Sequence, residues 1–352
     1  MHSTVPVRPD TSPLKIDLHV HVVGNGSGGT GCWYRPRGWT RLVEPMLLRT
    51  MGLPRSALRA DLDGEYVSRL RTLVRNSALD AVVLLAQDLP HDSAGQPLTG
   101  CGSFYVPNDY VLDLAAHNRE FLAGVSIHPA RADAFDELGR CLERGAALLK
   151  CLPNCQNIDW NDRRYTRFLE RMAEARLPLL AHTGSEHTLP VVDSRLQDPY
   201  VLTRPLEIGV TCIAAHCATA SGLCERDYFP AFEAMLAKYP NLYGDNSAFC
   251  VPNGRLRARV LEGCLRWPGR ILHGSDVPVP VLGHEAMLRG LISRRAFADS
   301  RRIANPLQRD VELKRSLGFP PESFTTGAGL LRLSRGVFQS PQSEPTGKSQ
   351  CV

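Results

Sequence analysis

With 352 residues, 43% of them hydrophobic and 22% charged, the chain has the makeup of a globular protein with apolar mass for one large domain. Its net charge of +5 is spread over 41 basic residues, nearly all Arg, with no RNP-like or helix-turn-helix cluster, so nucleic acid is not an expected partner. No apolar run reaches bilayer-spanning length, "MHSTVPVRPD" lacks a secretory core, and 11 Cys form no Cys-x-x-Cys pair, so a cytoplasmic protein with reduced thiols and no membrane contact is expected.

Residues 1–13 read as an N-terminal segment. The first apolar run, "LKIDLHVH", starts near residue 14 and carries Asp17, His19 and His21 at alternate positions. In a regular strand these three share one face, opposite Ile16, Leu18 and Val20. Burying three titratable groups together requires partners, and a divalent metal ion is a natural one. Residues 24–60, rich in Gly, Arg, Trp and Pro ("GNGSGGTGCWYRPRGW"), read as a lid-like insertion holding Trp33, Trp39 and Arg41. Seven more short apolar runs begin near residues 80, 121, 146, 178, 210, 241 and 270, each suited to a strand buried on both faces.

Helix-length segments lie between the runs, near 63–77, 132–145 and 228–239. The clearest is "NDRRYTRFLERMAEARLP", where Tyr165, Phe168, Leu169 and Met172 form a helical stripe and Asn161 or Asp162 is placed to cap it. Eight strand–helix units predict an α/β fold, a (β/α)8 TIM barrel over 14–335, with the long insertion after strand 1 and a helical C-terminal extension over 283–335 broken around "ANPLQRD". Residues 336–352, rich in Ser, Pro and Gln, are expected to be disordered.

In such a barrel the strand C-termini converge on one mouth, and they carry His19, His21, Lys150, His182, His216 and Asp276. Singly, a strand-end His is often a hydrogen-bonded core residue, and Asp276 could form a turn. Together, four His and a carboxylate make an N/O ligand set suited to zinc, with manganese, iron or cobalt as substitutes. By location, Asn154, Gln156, Glu186, His187, Asn246 and His284 are expected substrate contacts. His128 and His273 are weaker candidates, the latter because its parity opposes that of Asp276.

The marks "DLHVH", "LLKCLPNCQNID", "LPLLAHTGSEH", "AAHC", "YPNLYGDNSA" and "ILHGSDVPVP", over roughly residues 14–280, resemble the amidohydrolase superfamily, in its amidohydrolase-related branch. The resemblance implies a metal-dependent hydrolase that cleaves an amide, lactone, ester or related bond of a small molecule. By it, His19, His21 and Asp276 hold a divalent ion, and His182 joins them when one ion is bound. His216 then polarises the substrate, while Asp276 shuttles the proton. With two ions a carboxylated Lys150 bridges them; one zinc is the expectation. Relatives often carry a His after that Lys, where this chain has Cys151. Asp17 is expected either to orient groups around the ligands or to make a plain buried hydrogen bond. Related decarboxylases and hydratases supply the alternative chemistry, the intact His-x-His favours hydrolysis, and a non-catalytic barrel is the remote third reading. A small molecule is the expected partner, with homo-oligomerisation left open.

Overall fold

The computed structural model describes residues 12–36, 40–187, 189–222 and 225–333. Eight parallel strands follow one another around a sheet in chain order: β1 (Ile16–His21), β2 (Ala81–Leu85), β3 (Phe121–Val125), β4 (Leu148–Cys151), β5 (Leu179–His182), β6 (Cys212–Ala215), β7 (Leu242–Asp245) and β8 (Ile271–Leu272). The ring closes through Leu18 N to His273 O (3.0 Å), Asp276 N to His19 O (2.8 Å) and His21 N to Val277 O (2.8 Å). It is a (β/α)8 barrel. The apolar residues of the strands alternate between two cores. Ala81, Val83 and Leu85 pack with Leu148, Leu180, Ile213 and Leu272 inside the barrel, while Val82 and Leu84 join the cluster that includes Leu138, Phe168 and Phe232 of the outer helices.

The outer layer is Leu62–Arg75, Asn108–His117, Ala134–Glu143, Thr166–Ala175, Thr203–Ile208, Phe229–Lys238, Ala258–Leu265 and Pro321–Leu330. Thr166–Ala175 buries Phe168, Leu169 and Met172 and stops at Arg176 in the left-handed region; each buried side chain contributes about 1.5–3 kcal/mol. Asp162 caps the 3-10 turn that leads into it, accepting from Arg164 N. The predicted break at "ANPLQRD" shrinks to a cap: Asn305 accepts from Leu307 N and Gln308 N and starts the helix Pro306–Ser316. Pro321–Leu330 packs on β1 and β8.

The insertion after β1 carries a two-residue strand, Trp33–Tyr34, paired antiparallel with Phe104–Tyr105 from the loop after β2. Arg41 is exposed and donates to Pro36 O. Trp39, residues 1–11 and the tail expected to be disordered lie outside the described residues.

One sequence expectation is corrected in β1. Asp17 pairs with Val82, but His21 pairs with Leu85, because the register slips between Asp17 and Val20. Three steps on β1 match two on β2, so the slip reverses the parity of the strand. Asp17 therefore shares the outward side of Val82 and does not face the lumen with His21. Its Oδ1 accepts from His19 N (3.0 Å) and Ser275 N (2.9 Å), and its Oδ2 lies 3.9 Å from His273 Nε2. His273 itself packs against the Phe324 ring of the last helix, at 4.9 Å.

Candidate metal centre and active site

The mouth of the barrel is organised by a carboxylate at the end of β7. Asp245 is fully buried; its Oδ2 accepts from His19 Nδ1 (2.8 Å), and its Oδ1 accepts from His216 N (2.8 Å), Ser247 N (3.1 Å) and the Ser247 hydroxyl. Burial alone pushes this carboxyl up, but His19, His216 and Ser247 outweigh it and hold Asp245 well below the usual carboxylate range. An ionised Asp245 only accepts, so the proton of the His19 ring stays on Nδ1. Burial and the nearby Lys150 lower the His19 pKa, keeping the ring neutral with a lone pair on Nε2.

His216 reaches the same state by a second route. The single proton of Ser247 goes to Asp245, so Ser247 Oγ accepts from His216 Nδ1 (2.7 Å), and the Ser247 carbonyl stands 3.2 Å from the same nitrogen. Desolvation and the Arg255 charge depress the His216 pKa well below 6.5. Its Nε2 is thus also a lone-pair donor. His216 and Asp276 both have left-handed backbones, φ 55 and 67, costly for residues with a Cβ and characteristic of functional turns.

These three groups converge. One ligand atom each from His19, His216 and Asp276 lie within 4.8 Å of one another. Asp276 Oδ1 stands 3.4 Å from His19 Nε2 and 3.2 Å from His21 Nε2. The neighbouring imidazoles keep the Asp276 carboxyl low despite burial. A lone pair on His19 Nε2 faces an anionic oxygen, an arrangement that repels unless a cation lies between them. The donor set, two neutral imidazoles and a carboxylate, fits a divalent ion such as zinc or manganese.

All six strand-end residues border one cavity of about 390 Å³: His19, His21, Lys150, His182, His216 and Asp276. The tight triad differs from the set drawn from the resemblance: it includes His216 and leaves out both His21, whose Nε2 stands 3.2 Å from Asp276 Oδ1, and His182. The His182 ring lies 5.1 Å from that of His216, and its Nε2 turns to Ser185 O (3.3 Å) and Glu186 Oε2 (3.5 Å). Burial lowers its pKa to about 4, so it is neutral. Lys150 is buried with its pKa depressed by desolvation, partly offset by Asp245.

Of the six residues expected to touch substrate, Glu186 and His187 border the cavity and four do not. Gln156 is consumed by the main chain, accepting from Leu152 N (2.7 Å) and donating to Asp88 O (3.0 Å). Asn154 is wholly buried. Asn246 has the opposite parity to Asp245 and accepts from Gly274 N (3.3 Å). His284 packs its ring on Phe297 at 4.8 Å. Location on a loop was too weak a signal for these. Asp245, Ser247 and Arg255 were missed; alternation along "LYGD" puts Tyr243 and Asp245 on one face and was the available clue to the first.

The amidohydrolase family model matches residues 16–296. The chain belongs to the amidohydrolase family. Among solved structures it is similar to an uncharacterized TIM-barrel protein from Bordetella bronchiseptica, at 16% identity and TM-score 0.59 over 90% of this chain and 98% of that one. It is also similar to a putative 2-pyrone-4,6-dicarboxylic acid hydrolase from Pseudomonas putida (16% identity, TM-score 0.53, 94% and 100% covered). A third is 5-carboxyvanillate decarboxylase from Sphingomonas paucimobilis (11%, 0.50, 92% and 100%). A search of curated proteins returns no match. At these identities the likeness establishes the barrel, and its neighbours include hydrolases and decarboxylases. Among the described residues, no helix is long and apolar enough to cross a membrane.

Proposed function

We propose that the chain is a metal-dependent hydrolase that cleaves an amide, ester or lactone bond of a small molecule, with His19, His216 and Asp276 holding one divalent ion. The observation that carries this reading is the approach of His19 Nε2 to Asp276 Oδ1 at 3.4 Å while Nδ1 of the same ring stands 2.8 Å from Asp245 Oδ2. Lys150 enters as a neighbouring group, not as a bridge between two ions. When bound, a divalent ion supplies Lewis-acid polarisation of the substrate and acidifies a water molecule.

The side chains define the remaining tasks. Asp276, ionised and 13% exposed at the cavity, is the group to take the proton from the attacking water and return it to the leaving atom. His21, 22% exposed, flanks Asp276 and fixes its orientation. His182 is neutral, and its Nε2 proton is directed to Ser185 O and Glu186, which seats the ring beside His216; the polarising task first given to His216 then belongs to the ion. Arg255 fastens two of the loops at the mouth, donating to Thr219 O (2.5 Å) and Ser185 O (2.6 Å).

A panel of uncharged esters, lactones and amides, assayed with zinc- or manganese-loaded protein before and after chelation, tests the proposal. Turnover that disappears with the metal and returns on reloading is expected. Release of carbon dioxide from carboxylated aromatics, with no hydrolysis of the panel, would replace the reading with a decarboxylase.

A further inference from the structure

The cavity falls in the size range of small-molecule sites, and its two halves differ in chemistry. Beneath lie the imidazoles, Lys150 and Asp276. Above, two loops are tied into a hood. Tyr34 pairs opposite Phe104 and Trp33 opposite Tyr105, so the alternation of the ribbon presents Tyr34 and Phe104 to the cavity. The rings of Trp33 and Tyr105 stack at 6.2 Å and brace the ribbon away from the cavity. The Phe104 ring meets the edge of His21 at 6.5 Å and 87°. Met46, Leu47, Leu189 and Leu282 extend the apolar wall.

The charged residues of the cavity lining lie off the aromatic ribbon. Among the described residues the lining holds two ordinary cations, Lys150 and Arg255, and two carboxylates, Glu186 and Asp276. Arg255 spends both terminal nitrogens on carbonyls, and its Nε is buried without a partner. A substrate carboxylate placed under the hood would lose water and meet rings and aliphatic side chains, a costly exchange for a charge. An apolar group in the same place gains about 0.8 kcal/mol per buried methylene, which is roughly fourfold in affinity.

We propose that the site takes an uncharged acyl compound, an ester, lactone or amide whose aryl or alkyl body lies beneath Tyr34 and Phe104, and that it discriminates against substrates bearing a second carboxylate. This rests on the hydrolase reading and adds the substrate class to it. In the reaction the oxygen of water bonds to the acyl carbon, the acyl C–O or C–N bond breaks, and the leaving atom takes the proton; no oxidant or reductant enters.

The test uses metal-loaded full-length protein with p-nitrophenyl acetate, butyrate and hexanoate, and the mono-p-nitrophenyl ester of glutaric acid. Values of kcat/KM rising at least tenfold from acetyl to hexanoyl, and at least tenfold lower for the glutaryl ester than for the butyryl ester, are expected. In Phe104→Ala and Tyr34→Ala the hexanoyl-to-acetyl ratio should fall toward one. A flat series, or preference for the glutaryl ester, would overturn the substrate class. Calorimetry with hexananilide and its terminal carboxylate analogue separates this from failure of the hydrolase reading. If no ester is turned over, tighter binding of the uncharged anilide still supports the pocket chemistry, and equal or tighter binding of the acid rejects it.

Discussion

A single carboxylate, Asp245, sets the protonation of the candidate metal site. It accepts hydrogen bonds from His19 Nδ1 and from the main-chain N–H of His216, and so turns one Nε2 toward Asp276 while fixing the bend that carries the other ring. Asp245→Asn replaces an obligatory acceptor with an amide that can present its N–H₂ to His19. Metal affinity is expected to fall roughly 10- to 100-fold, as for other residues that orient a metal-bound imidazole, while the fold persists. Titration of the apo-protein with zinc and a competing chelator, checked by circular dichroism, measures it. An unchanged affinity would remove Asp245 from its orienting role. The sequence showed His19, His21, Lys150, His182, His216 and Asp276 because each ends an apolar run. It hid Asp245 because "YGDNSA" offers Asp, Asn and Ser in succession, and only strand parity separates the Asp from its neighbours.

At the scale of elements, β1 and β8 decide where Asp276 meets His19. The slip in β1 lets Asp17 leave the lumen and bond to main-chain nitrogens of both strands, at His19 and Ser275. Lys314, from Pro306–Ser316, donates to Gly274 O and to Asp310, so the turn ahead of Asp276 is held from the outside as well. No residue in "KIDLHVH" announces that slip; it arises from pairing with β2 and closure against β8, which a one-strand alternation cannot contain. The contact is close enough that Gly274 has no space for a side chain. A Cβ there would lie 2.7 Å from the Cβ of His19 and 3.2 Å from that of Ser247. Gly274→Ala is expected to cost about 1–3 kcal/mol of stability through overpacking, and to weaken metal binding by displacing His19. Thermal unfolding with and without zinc tests both effects. A variant with unchanged midpoint and unchanged zinc stabilisation would contradict this packing.

For the whole molecule, the barrel was legible because eight apolar runs, spaced by one helix each, need no long-range information to be recognised. The first strand was placed within two residues of Ile16, and its insertion was visible as a break in that spacing. The pairing of Trp33–Tyr34 with Phe104–Tyr105 was not visible, since two-residue strands carry too little periodicity to stand out. Acid stability is also a property of the assembled fold. His128 is buried, donates from Nε2 to Gln156 O (2.9 Å) and accepts at Nδ1 from Ala130 N (3.1 Å), so both nitrogens are satisfied only when the ring is neutral. Burial and neighbouring His91 bring its pKa from 6.5 to about 3. Between those values the unfolded chain binds the proton and the folded chain does not, so this group makes stability fall as pH falls from 6.5 toward 3. Asp17, pushed up to about 7 by burial, acts with the opposite sign above pH 3.8. His128→Gln isolates the imidazole. The pH slope of its unfolding free energy in this window should be shallower than that of the native protein by up to about 1.4 kcal/mol per pH unit, measured by urea unfolding. Equal slopes would show that His128 does not stay neutral.

The most direct measurement is the metal content of protein purified without chelators and of its His19→Ala, His216→Ala, Asp276→Ala and His182→Ala variants. One divalent ion per chain is expected in the native protein and in His182→Ala, with loss in the other three. Protein that binds no ion after zinc or manganese loading, or loss in His182→Ala with retention in His216→Ala, would contradict the proposed centre.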